Sequence, residues 1–184
     1  NGCIRVLFPA FSGGGTKFKE MKYFNIDGQI DTELVDRFTL FLNENSAENI
    51  CIFLDSPGGW FCSARIMCNI INADKSRFSI IASHTVMSAA FWLFYEAKCK
   101  REILPGTVGM YHIARRDFKM KATGSMAEVF DEFYLKEFKT CELQRCDEFS
   151  KALGMLPHEQ SALRGGFDVF FSEKSMRNFL EQQQ

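Results

Sequence analysis

The chain has 184 residues, of which 46% are hydrophobic, and a formal net charge of −1 from 22 Lys and Arg against 23 Asp and Glu. That length fits one domain over residues 1–184 with one core, and the near-neutral balance without a long basic stripe argues against nucleic acid or an anionic membrane as a partner. The apolar runs fall far short of the roughly 20 residues that a membrane-spanning helix requires.

Seven cysteines are scattered, several within apolar runs such as Ile50–Leu54. An odd number without framework spacing predicts free thiols in a reducing compartment. Neither Cys62 with Cys68 nor Cys141 with Cys146 has Cys-x-x-Cys spacing, so no metal is assigned. A cytoplasmic location is expected. The chain opens on Asn1 and not Met, so a targeting segment removed upstream would instead place it in an organelle lumen.

The opening segment, residues 1–20, reads as irregular. Its Ser12-Gly13-Gly14-Gly15-Thr16-Lys17 run lacks the spacing of a phosphate-binding loop, and no nucleotide or other cofactor is expected. Tyr23–Ile26 reads as a strand ended by Asp27-Gly28. Leu34, Val35, Phe38, Phe41 and Leu42 then recur at helical spacing behind Thr32. Asn49–Leu54 is a short apolar run suited to a strand buried on both faces, stopped by Ser56-Pro57-Gly58-Gly59. Ala64, Met67, Ile70 and Ile71 mark a second helix, Phe78–Ala82 another strand, and small residues then open a helix over Ala89–Ala97. Glu102–Leu104 leads to Pro105-Gly106, and Gly109–His112 forms a further strand edge. Met126, Val129, Phe130, Phe133, Phe138, Cys141 and Phe149 lay an apolar stripe along a long helical region. Repeated strand, turn and helix units predict an α/β protein with a mostly parallel sheet and ligands at the loops beyond the strand ends.

Three chemistry-bearing residues fall on such loops. Ser88 opens a helix, where free N–H groups point at its hydroxyl, although serine is also a preferred N-cap. His112 ends an apolar strand as a candidate general base or a structural histidine. Asp168 is an acid inside an apolar segment, either paired with an imidazole N–H or exposed at a strand edge. The paired glycines of Ser56–Gly59 let backbone N–H groups approach a ligand. Trp60, Phe61 and Trp92 are expected to place bulky rings around the site. His84 and His158 have no readable partner and are taken as structural or exposed.

The motifs Tyr23–Asp31 (YFNIDGQID), Ile52–Gly59 (IFLDSPGG), Ala89–Arg101 (AAFWLFYEAKCKR), Leu104–His112 (LPGTVGMYH) and Asp168–Ser172 (DVFFS) occur in the order seen in the Clp protease proteolytic subunit, which the chain resembles over about residues 21–180. The resemblance implies the Clp/crotonase fold of repeated ββα units, with a protruding handle helix over about residues 125–153. It implies a serine peptidase with His112 and Asp168 in the triad and an oxyanion hole formed by Gly59 and, after Ser88, Ala89. The nucleophile has two registers. Counting forward from Gly59 puts it on Ser88, and counting back from Lys98, Arg101, Pro105 and His112 puts it on Met87, whose thioether forms no acyl-enzyme.

The first register implies a self-compartmentalising endopeptidase that degrades unfolded polypeptides, with an AAA+ unfoldase ATPase as partner and a homo- or hetero-oligomer of stacked rings. The second implies a degenerate subunit with a structural or scaffold role in such a ring. An acyl-CoA enzyme of the crotonase group is a third reading, one that does not need this serine, histidine and aspartate set. Ile113–Arg116 replace the family's usual residues where the substrate backbone adds as a strand.

Overall fold

A computed structural model describes residues 21–113, 143–144, 146–151 and 153–182. In chain order they form β1 (Met21–Ile26), α1 (Thr32–Glu44), β2 (Asn49–Ser56), α2 (Phe61–Ala73), β3 (Phe78–Met87), α3 (Ala89–Glu96), β4 (Lys100–Ile103), β5 (Val108–Tyr111), α4 (Pro157–Arg164), β6 (Val169–Ser172) and α5 (Glu173–Gln182). The segment 1–20 lies outside the described residues. So does most of the expected handle helix, although residues 146–151 are helical.

The strands make one six-stranded sheet in the order β1-β2-β3-β5-β6, with β4 paired to β3 off that path. All pairings are parallel except β5 with β6. Strand period 2 sends Phe24, Ile26, Ile50, Ile52, Leu54, Phe78, Ile80 and Ala82 to one buried face. There they join Leu34 and Phe38 of α1, Met67 and Ile71 of α2 and Phe94 of α3 in one core. The Phe38 ring links the layers, with its centroid 5.0 Å from that of Phe24 and 6.2 Å from that of Phe78. Asp31 starts α1 by accepting the Leu34 N–H at 2.9 Å, which satisfies one of the amides a helix start leaves open. α3 is buried from Ala89 through Tyr95, as a helix apolar all round must be.

Among the described cysteines, Cys51, Cys68, Cys99 and Cys146 are buried and Cys62 is exposed. Burial pushes the Cys68 thiol up to about 12 and Cys99 up to about 11. Both are therefore protonated space-fillers at neutral pH and poor nucleophiles.

The largest departure from the sequence reading is β3. It does not stop at Ala82 but continues to Met87 through an irregularity, and its two halves have different neighbours. Ser79–Ala82 pair with β4, and Thr85–Met87 pair with β5.

Candidate active site

Strand register assembles the site. Met87 on β3 pairs with Met110 on β5, and the Ser88 N–H donates to the Met110 carbonyl at 2.8 Å, so the ends of these strands lie side by side. On the other side of β5, Tyr111 pairs with Val169 of antiparallel β6. One step beyond that pair come His112 and Asp168. The Ser88 Oγ lies 2.6 Å from His112 Nε2, and His112 Nδ1 lies 3.3 Å from Asp168 Oδ1. The His112 side chain is 18% exposed and that of Asp168 38%, which leaves the row open to solvent at its acidic end.

Ser88 occupies the N-cap position of α3, yet its side chain makes no cap hydrogen bond. Its backbone sits at φ 52, ψ −121, a region that costs a residue with a Cβ about 1–3 kcal/mol. A sharp strand-to-helix turn of this kind lifts a serine hydroxyl clear of the sheet. A glycine there relieves the strain but gives up about 0.5–1 kcal/mol of chain entropy. Ser88→Gly also gives up the bond to His112, about 1 kcal/mol, so with a strain of about 1–3 kcal/mol relieved it is expected to match wild type to within about 1 kcal/mol, read as a urea midpoint close to that of wild type.

The Ser56–Gly59 turn is fastened from two sides. Ser56 Oγ donates to the Gly28 carbonyl at 2.6 Å and accepts the Gly58 N–H at 3.1 Å. Gly58, at φ +99, faces the Met87–Ala89 turn closely, and a Cβ on it would stand 2.7 Å from Met87 O and Ser88 Cβ and 3.0 Å from Ala89 N. Gly59 bridges to Ile30 instead. The bridge is closed by the Ile30 N–H donating to Gly58 O at 2.8 Å and the Trp60 N–H donating to Ile30 O at 2.7 Å. The backbone of Gly58 thus lies against Met87–Ala89, at the start of a helix whose first amides have no partner within it.

Ser88, His112 and Asp168 are brought together, and it is Ser88, not Met87, whose side chain meets His112. Of the three rings expected around the site, Trp60 is 61% exposed but Trp92 is core. Its indole meets Phe61 edge-on at 4.7 Å, because α3 is buried on every side. His84 and His158 are exposed, and His84 has a neighbour in Asp55, 3.4 Å from its Nδ1. Residues 114–116 lie outside the described residues. The sequence reading passed over Gly58 as the point of closest approach, and Ser56, whose hydroxyl-to-amide bond two residues on is ordinary turn chemistry for serine and was readable as such.

A family model described as Clp protease matches residues 17–133, more than half of the chain. Among solved structures, a point mutant of ClpP1 from Listeria monocytogenes shares the fold with a TM-score of 0.61 and 22% identity, over 85% of this chain and 86% of that one. No curated protein matches the chain.

Proposed function

Because the chain belongs to the Clp protease family, we propose that it is a serine-type endopeptidase subunit whose nucleophile is Ser88. The observation that carries this reading is the Ser88 hydroxyl itself, which forgoes its cap bond, accepts a strained backbone and stands 2.6 Å from His112 Nε2. Ser88 Oγ attacks the scissile carbonyl while His112 Nε2 takes its proton and then returns it to the leaving amine. Asp168 holds the imidazole with Nδ1 protonated and offsets the charge of the imidazolium. Gly59 and Ala89 offer their N–H groups to the developing oxyanion, where removing one such donor costs about 100- to 1,000-fold in related chemistry. Water then attacks the acyl-enzyme, with His112 again as base.

The substrates are unfolded polypeptides, the subunits stack as rings, and an AAA+ ATPase supplies unfolding. A chain that is already unfolded bypasses that partner, so hydrolysis of a disordered protein such as casein by the assembled protein alone tests the proposal. Wild type is expected to degrade it. An assembled ring that leaves casein intact overturns the proposal in favour of a scaffold subunit.

A further inference from the structure

Between the Leu54–Ala82 and Ser56–Val86 pairs, β2 advances two residues while β3 advances four. Ser83, His84 and Thr85 therefore stand opposite Asp55 alone. His84 takes φ 56, a strained conformation for a residue with a Cβ. Asp55 Oδ1 accepts the Thr85 N–H at 3.0 Å and lies 3.4 Å from His84 Nδ1, which in turn lies 3.0 Å from Thr85 Oγ1.

The place of this bulge gives it a consequence. It sits where β3 leaves β4 and takes up β5, and only the pairing beyond it, Thr85–Met87 with Val108–Met110, carries Ser88 to the end of β5 where His112 stands. Stability does not explain the clamp. The side chains of His84 and Asp55 are 82% and 44% exposed, and so exposed a pair contributes little to stability. Bulges beside active sites re-aim the residues that follow them.

We infer that Asp55 is a positioning residue for Ser88, because it fixes the β3 bulge that sets the register of the nucleophile against His112. This rests on Ser88 being the nucleophile, and the experiment separates the two claims. The assembled protein is reacted with a fluorophosphonate, in which the Ser88 oxygen bonds to phosphorus, fluoride leaves and His112 takes the proton, and the second-order labelling rate is measured per folded molecule.

Misplacing a nucleophile by about 1 Å costs on the order of 100-fold. Asp55→Ala is expected to label about 10- to 100-fold more slowly, and Asp55→Asn, which keeps an oxygen for the Thr85 N–H, to recover to within about threefold of wild type. His84→Gly removes the imidazole and frees the backbone at a φ that glycine favours, so it is expected to fold at least as well as wild type and still label several-fold more slowly. If Asp55→Ala does not fold, His84→Gly decides. Wild-type labelling rates in Asp55→Ala or in His84→Gly, or an Asp55→Asn no faster than Asp55→Ala, overturn the positioning role. Failure of wild type itself to label overturns the nucleophile.

Discussion

Ser88→Ala is expected to lower kcat for peptide hydrolysis roughly 10⁵- to 10⁶-fold, the loss seen when a triad serine is removed from an enzyme whose triad acts as a unit. What is left is the contribution of the oxyanion donors and of substrate binding, about 10³- to 10⁴-fold over water. The same variant is expected to fold. Alanine keeps the Cβ and the strained φ, and the hydroxyl it lacks was capping nothing, so stability changes by no more than the lost bond to His112, about 1 kcal/mol. Peptide hydrolysis and urea melts of the assembled variant check both halves. A residual activity within tenfold of wild type contradicts the assignment, as does a stability loss well beyond one hydrogen bond.

Gly58→Ala is expected to damage the fold and the site together. The added methyl would meet Met87 O and Ser88 Cβ at 2.7 Å and Ala89 N at 3.0 Å, two of them backbone atoms that cannot swing aside. It also forces a Cβ onto φ +99. Overpacking typically costs about 1–3 kcal/mol and the backbone strain a further 1–3 or so, so a loss of about 2 to 6 kcal/mol is expected against a total stability of about 5–15 kcal/mol. In whatever fraction folds, the Ser56–Gly59 turn must retreat from Ser88, and fluorophosphonate labelling is expected to fall about 100-fold. Gly106→Ala is the control. Gly106 also has a positive φ, but nothing lies within 4 Å of its Cβ position, so it carries strain without the collision. Equal losses in the two variants would show that conformation alone, and not close approach, requires Gly58.

The order of strands and helices was legible because short continuous apolar runs such as Asn49–Leu54 on β2 alternate with stretches of helical spacing such as Leu34, Phe38 and Phe41 on α1. The extent of β3 was not. Ser83-His84-Thr85 carries no strand pattern of its own; Thr85 joins β3 through its pairing with Val108 of β5, and its N–H donates to Asp55 Oδ1, a residue far back in the sequence. The sequence left Ser88 and Met87 as rival registers because the count forward from Gly59 and the count back from His112 differ by one residue. Counting along the chain cannot see a bulge, whereas pairing of Met87 with Met110 makes the next residue, Ser88, the one at the turn.

His112 and Asp168 were legible as a strand-end base and an acid in an apolar segment. That they face each other depends on the antiparallel register of β5 and β6, a tertiary fact. The burial of Trp92 was not legible: it follows Ser88 by one helical turn, and its ring packs edge-on against Phe61 in the core.

The central claim is that Ser88 is an activated nucleophile, and the most direct measurement is to map the residue that a fluorophosphonate modifies in the assembled protein by peptide mass spectrometry. The expected result is one adduct on Ser88, absent in Ser88→Ala and formed far more slowly in His112→Ala. No adduct on a correctly assembled wild-type ring would contradict it, and the chain would then be a subunit that keeps the fold without the chemistry.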